Sequence, residues 1–177
     1  TGTVQPGTPT GQLSVTRGDN GLTTKMGVTV TVGPIAGAIH TVSPAGGYPA
    51  SPIQDKIDIA QPGDLILVAP GAYDELVIMS KEVRLQGAGA PVTVINAVKA
   101  PGEKLQNWRN DITTLVNGGT VTLLPGQTLN FDPANNEPGL FNTSEGPGIM
   151  VLGQASGDPL ASTWTGKGRI DGFSLMG

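Results

Sequence analysis

One stretch of this 177-residue chain carries a regular pattern: residues 63–97, GDLILVAPGAYDELVIMSKEVRLQGAGAPVTVINA. Four short runs of aliphatic and β-branched residues, at 65–68, 76–79, 83–86 and 93–95, alternate with glycine, proline and charged breaks. Runs this short with breaks this regular predict strands rather than helices. Because the breaks contain no Asn-Gly hairpin dipeptide, the even spacing favours a solenoid of stacked parallel strands over an antiparallel meander.

Two segments within this stretch, PGDLILVAPGAYDE (62–75) and VRLQGAG (83–89), resemble the opening coil of right-handed parallel β-helix proteins. That architecture is shared by pectate lyases, pectin esterases and many secreted β-helix repeat proteins. The resemblance covers residues 52–97 closely and 148–177 loosely. It implies an all-β fold, a right-handed parallel β-helix, and it implies an architecture much more than an activity.

The chain divides into two predicted regions. Residues 1–49 contain a Pro/Gly-rich linker and then two period-two runs around Asp19-Asn20-Gly21, which predict a β-hairpin. This hairpin is consistent with the last strands of a β-sandwich domain. Residues 50–177 are predicted to begin the β-helix, with an insertion at about 98–147 before the strands resume.

Two segments have the period of amphipathic helices. Residues 51–60 predict a helix with Ser51 as its N-cap, positioned to cover the open end of the first coil. Within the insertion, apolar residues recur at spacings of three and four and predict a helix at 102–117: Leu105, Trp108, Ile112 and Leu115. After this helix, residues 120–124 predict a further strand.

The strand pattern also predicts which side chains face inward. We expect residues 64–97 and 148–177 to pair as parallel strands, with six apolar side chains in their inner rows: Leu67, Val77, Leu85, Ile95, Val151 and Ile170. The segment 168–177 has the pattern of a fresh coil. We therefore expect the chain to be a stretch of a longer polypeptide, or the β-helix to continue in another chain by strand addition.

Charge and composition narrow the partners. The formal net charge is −4, and acidic and basic residues are scattered along the chain. Since the sequence has no stripe of basic residues, nucleic-acid binding is not predicted. No apolar run reaches the length of a membrane span. The absence of cysteine excludes disulfides and thiolate metal sites, and together with the resemblance it predicts a secreted or cell-surface bacterial protein.

The predicted strands carry no catalytic constellation. Residues at i and i+2 of a strand share a face, but Asp74 and Glu75 are adjacent and Asp171 is a single acid. His40, the one histidine, is predicted to be a partly buried strand residue. The sequence therefore predicts a structural or binding module for glycan or protein. The alternative is the N-terminal part of a polysaccharide-acting lyase, esterase or hydrolase.

The insertion contains the candidate binding residues, because insertions in solenoids lie on one side of the stack. Trp108 can stack on a sugar ring or anchor the insertion to the strands. A polar loop holds Asp132, Asn135, Asn136 and Glu137, whose oxygens can bind calcium or form Asx turns. Their spacing matches no calcium-loop pattern, and no other cofactor is predicted. The predicted partners are a polysaccharide and a continuation of the β-helix.

Overall fold

The computed structural model describes residues 11–30, 37–129, 146–156 and 168–177. In chain order the helices and strands are β1 (Gly11–Thr16), β2 (Thr23–Val30), β3 (Ile39–Val42), α1 (Pro52–Ile59), β4 (Leu65–Val68), β5 (Gly71–Tyr73), β6 (Val77–Met79), β7 (Arg84–Gly87), β8 (Thr93–Asn96), α2 (Gly102–Asn117), β9 (Ile149–Val151), β10 (Arg169–Asp171) and β11 (Ser174–Met176).

The predicted hairpin and both predicted helices are confirmed. β1 and β2 pair antiparallel, and the hydroxyls of Thr16 and Thr23 lie 2.8 Å apart beside the turn. Whether the hairpin belongs to a β-sandwich domain stays a prediction. The predicted strand at 120–124 is wrong, because the N–H groups of Thr120 and Val121 donate to the carbonyl of Leu115 and close the end of α2.

The remaining strands form three parallel sheets. One has four strands in the order β10-β7-β4-β3, another has the order β11-β8-β5, and the third pairs β6 with β9. Every pairing in these sheets is parallel. From β4 onward, strands adjacent in sequence enter different sheets, and the predicted parallel pairing of 64–97 with 148–177 is confirmed.

The predicted fold class, an all-β right-handed parallel β-helix, is wrong. The chain has mixed α and β content, with helices of 8 and 16 residues beside several separate parallel sheets, and its described strands form no closed solenoid. The physical reason is that α1 is part of the core. Its Ile53 and Ile57 are buried in the same cluster as Ile66 of β4. A pattern of short strands predicts strand pairing, but it does not determine how separate sheets meet.

Two apolar clusters stabilise this arrangement. The first joins α1 to the parallel sheets and consists of Val42, Ile53, Ile57, Ala60, Ile66, Val68, Tyr73, Val77, Met79, Val83, Leu85 and Ile95. The second joins α2 to the outer side of β6 and consists of Leu76, Ile78, Ala97, Trp108 and Ile112. Because β6 contributes Val77 and Met79 to one cluster and Ile78 to the other, it is the strand that connects the two helices.

Half of the predicted inner residues are exposed. Val77, Leu85 and Ile95 are buried as expected, whereas Leu67, Val151 and Ile170 are 38%, 50% and 38% exposed. For Leu67 the predicted face of β4 is wrong, since its neighbours on either side are the buried residues. Val151 and Ile170 are in register with buried Met79 and Leu85, but they lie on the outermost described strands of their sheets.

Candidate functional site

The candidate site is a cleft between α1 and α2, which we call the helix cleft. Its volume is about 260 Å³, and an adjoining cavity of about 360 Å³ shares part of its wall. The helix cleft is lined by Tyr48, Pro49, Ser51, Gln54, Asp55, Asp58, Leu76, Ile78, Lys104, Asn107, Trp108 and Asp111. It therefore combines aromatic, amide and carboxylate side chains at one opening.

Glu75 anchors the α1 side of the helix cleft. The N–H of Ile53 donates to both carboxylate oxygens, at 3.1 and 3.2 Å, and the N–H of Gln54 donates to Oε2 at 3.1 Å. Ser51 occupies the predicted N-cap position, but its side chain makes no capping hydrogen bond. The free N–H groups of the first turn are instead satisfied by a carboxylate 22 residues away in sequence from Ile53.

Gln54 connects α1 to the floor of the cleft. Its Nε2 donates to Oδ1 of Asp58 at 2.8 Å and to the carbonyl of Ile78 at 3.2 Å, and its Oε1 accepts the N–H of Ile78 at 2.7 Å. The side-chain amide of Gln54 therefore pairs with the backbone of Ile78 as a neighbouring strand would, and it links β6 to α1. This double contact fixes the orientation of both Gln54 and Asp58 at the cleft.

The α2 wall is held by buried and polar contacts together. Trp108 is 5% exposed and packs in the cluster that includes Leu76 and Ile78. Lys104 is also buried, and its Nζ donates to the carbonyl of Asp74 at 2.5 Å. At the cleft rim, Nδ2 of Asn107 donates to the hydroxyl of Tyr48 at 2.8 Å.

The cleft is acidic. Asp55, Asp58 and Asp111 are all exposed on its walls. The pKa of Asp111 lies above its ordinary value because of partial desolvation and then the charge of Asp58. Desolvation lowers the pKa of Lys104, against the opposing effect of nearby carboxylates. The site therefore presents a surplus of negative charge to a ligand.

A second polar cluster, around Asp64, serves the fold. Asp64 accepts the N–H of Ala38 at 2.7 Å and of Gln61 at 2.8 Å, and Nε2 of His40 lies 2.9 Å from Oδ2. The hydrogen bonds from Gln61 and then His40 lower the pKa of Asp64 below its ordinary value. Because both carboxylate oxygens are occupied by contacts that tie β3 to β4, we assign this cluster a structural role.

The sequence-predicted binding residues divide between described and undescribed parts of the chain. Trp108 lies in the wall of the helix cleft, where its role as a ligand contact stays a prediction. Asp132, Asn135, Asn136 and Glu137 lie outside the described residues, so their binding and calcium predictions stay predictions. Within residues 11–30, 37–129, 146–156 and 168–177, no group of three or more His, Asp or Glu side chains is arranged to hold a metal ion.

The cleft residues that sequence reasoning missed include Gln54, Asp58 and Asp111, together with Tyr48 and Asn107 at the rim. For the helix residues among these, the only signal in the sequence was the polar face of each amphipathic helix. For α1 this signal was not specific, because an ordinary solvent-exposed helix face has the same polar residues. Asp58 and Asp111 belong to different helices, and only the packing of α2 against β6 brings them together.

No family model, no curated protein and no solved structure matches this chain. The resemblance to pectate-lyase-like proteins therefore stays a prediction that rests on residues 62–75 and 83–89. In the part of the chain that the structure describes, no helix has the length and apolarity needed to cross a membrane.

The environment of Glu75 predicts how the free energy of unfolding depends on pH. Its pKa is raised, because desolvation outweighs the hydrogen bonds from Ile53 and Gln54. Above the ordinary glutamate pKa the folded state therefore keeps a proton that the unfolded state has released. The free energy of unfolding should fall as pH rises through this window and level off above the folded pKa. Glu75→Gln should remove this dependence.

Urea unfolding at about pH 3.5 and pH 7 tests this prediction, since the two values lie on either side of the ordinary glutamate pKa of about 4.3. The stability of Glu75→Gln relative to wild type should be higher at the higher pH. The matched control is Glu103→Gln, at an exposed residue in the first turn of α2. A stability difference between wild type and Glu75→Gln that is the same at both pH values would contradict the assignment.

Proposed function

We propose that this chain is a secreted or cell-surface binding module and that its ligand is a glycan held in the helix cleft. The observation that carries the proposal is the meeting of Tyr48 and Trp108 with amide and carboxylate side chains at one opening of about 260 Å³. Small-ligand sites are typically concave and combine apolar or aromatic surface with a few convergent polar groups. The helix cleft has this composition.

A sugar fits this lining chemically. Its ring has apolar C–H faces that pack on aromatic surface, which the half-buried Tyr48 offers here beside the buried Trp108. Its hydroxyls both donate and accept hydrogen bonds. The amide of Asn107 can do both. Nε2 of Gln54 already donates to Asp58 and Ile78, so Gln54 offers the remaining acceptor site of its Oε1. The carboxylates also accept. The volume is slightly below the range of about 300–1,000 Å³ for drug-sized ligands, which supports recognition of a short saccharide segment.

The charge of the cleft supports a neutral glycan. A uronate polymer would bring carboxylates next to Asp55, Asp58 and Asp111, and such like-charge contacts oppose binding. A neutral sugar meets the same carboxylates as hydrogen-bond acceptors. We therefore expect neutral oligosaccharides to bind more tightly than uronate oligomers of equal length.

One observation favours a second function, hydrolysis of a polysaccharide. Asp58 and Asp111 both line the cleft, and the charge of Asp58 contributes to the raised pKa of Asp111. In glycosidases two carboxyl groups face one cleft, and the one whose pKa is raised acts as the general acid. Release of reducing ends from a neutral oligosaccharide, lost in Asp111→Asn, would establish this function.

Titration calorimetry with neutral glucan, mannan and xylan oligosaccharides tests the binding function. Asn107→Ala removes a cleft amide that is worth about 1 kcal/mol as a hydrogen bond, so affinity should fall about fivefold. The matched control is Gln106→Ala, at an exposed neighbour on α2 outside the cleft lining. Absence of binding to every neutral oligosaccharide, or equal affinities of the two variants, would contradict the proposal.

A further inference from the structure

The outer strand of the four-stranded sheet, β10, has one paired side. Arg169, Ile170 and Asp171 are in register with Arg84, Leu85 and Gln86 of β7. On the other side of β10, no strand pairs with it among the described residues. Such an edge presents backbone N–H and C=O groups that can pair with another strand.

An apolar row of the core ends at this edge. Ile66, Leu85 and Ile170 are aligned across β4, β7 and β10. The first two are 0% and 1% exposed, whereas Ile170 is 38% exposed. A strand added to β10 with an apolar residue opposite Ile170 would continue the row and remove that side chain from water.

The charges on β10 indicate which kind of strand can pair with its free edge. Arg169 and Asp171 share the face of the strand opposite to that of Ile170, and Nη2 of Arg169 lies 3.1 Å from Oδ2 of Asp171. We propose that a second copy of this chain pairs with β10 through its own β10, antiparallel, about a two-fold axis at Ile170. This arrangement places Arg169 opposite Asp171 of the second copy, and Ile170 opposite Ile170.

The opposite edge of the sheet lies beside a helix. That edge is β3, and α1 packs against β3, β4 and β6 with Ile53 and Ile57 buried in the core. A head-to-tail association would bring β10 to the edge beside this helix. A two-fold contact uses the β10 edge of both copies and closes the assembly at a dimer.

Charge reversal tests the register. In the Arg169→Asp variant, positions 169 and 171 are both acidic, so acids face acids across the contact. In the Asp171→Arg variant both positions are arginine, so arginines face arginines. In sedimentation experiments over a range of concentrations, each variant should self-associate at least about tenfold more weakly than wild type, a loss of about 1.4 kcal/mol. A one-to-one mixture of the two variants should restore association, because opposite charges then face each other. The double variant, R169D/D171R, should also restore it.

Cysteine cross-linking tests the same axis without changing a charge. The chain contains no cysteine, and directly opposite residues of antiparallel strands have Cβ atoms about 4.5–5.5 Å apart. Under mild oxidation Ile170→Cys should form a disulfide-linked dimer at least about tenfold faster than Leu175→Cys, a control at an exposed residue of β11.

A wild-type chain that stays monomeric at every concentration would overturn the proposal and leave the edge to a strand from a different partner. Association that both single charge variants retain at wild-type strength would overturn it as well, because the contact would then lie elsewhere. Equal cross-linking of the cysteine variants at positions 170 and 175 would contradict the two-fold axis at Ile170.

Discussion

Ile66→Asp is expected to abolish cooperative folding, whereas Leu67→Asp, at the next residue of the same strand, should leave the chain folded. Ile66 is fully buried in the cluster that joins α1 to the sheets, and Leu67 is 38% exposed on the other face of β4. Removing a buried isoleucine side chain costs about 2–5 kcal/mol, and an unpaired buried carboxylate adds several more. Together these costs approach the total stability of a typical domain, about 5–15 kcal/mol.

Circular dichroism and urea unfolding of the two variants measure this difference. Leu67→Asp should unfold cooperatively within about 1 kcal/mol of wild type, as expected for a surface substitution. A soluble, cooperatively melting Ile66→Asp variant together with an unfolded Leu67→Asp variant would show that β4 presents its opposite face to the core.

Trp108→Ala is expected to lower the free energy of unfolding by about 3–5 kcal/mol, the range for removing a buried aromatic side chain. Trp108 is 5% exposed and packs with Leu76, Ile78 and Ile112 between α2 and β6. Because Trp108 also lines the helix cleft, the same substitution should weaken glycan binding. An exposed sugar platform would instead lose binding with little change in stability.

Fluorescence quenching distinguishes these roles for Trp108. The chain has two tryptophans, so the measurement uses a Trp164→Phe background in which Trp108 is the one emitter. Acrylamide should quench its emission weakly in the folded state and strongly in urea. Leu124→Ala, at an exposed apolar residue, is the stability control and should cost less than about 0.5 kcal/mol. Strong quenching combined with a stability loss below about 1 kcal/mol would contradict the buried position.

The helices and the parallel strand pairing were predictable from the sequence because they depend on local pattern. In α2, Leu105, Trp108 and Ile112 repeat at helical spacing, and the helix ends at Asn117 as predicted, just before two glycines, Gly118 and Gly119. Which side chains of β4 point into the core was not predictable in this way. Its four residues, Leu65–Val68, are all apolar, so no alternation distinguishes the core face from the solvent face.

The candidate site was less predictable because it is made by contacts between distant segments. Glu75 caps α1 across 22 positions from Ile53, and a local reading assigns the capping role to Ser51. Gln54 and Asp111 meet only where α1 and α2 both pack against β6. The mixed fold class has the same origin, since nothing in the strand spacing shows that α1 fills part of the core.

The position of the ligand can be measured directly by a ¹H–¹⁵N NMR titration of the 177-residue chain with a neutral oligosaccharide that binds it. The side-chain amides of Gln54 and Asn107 line the helix cleft, while those of Gln106 and Asn110 on α2 do not. Binding in the cleft predicts saturable shifts of the Gln54 and Asn107 amides and of the Trp108 indole, with the Gln106 and Asn110 amides unchanged. Saturable binding that leaves Gln54 and Asn107 unmoved would contradict it.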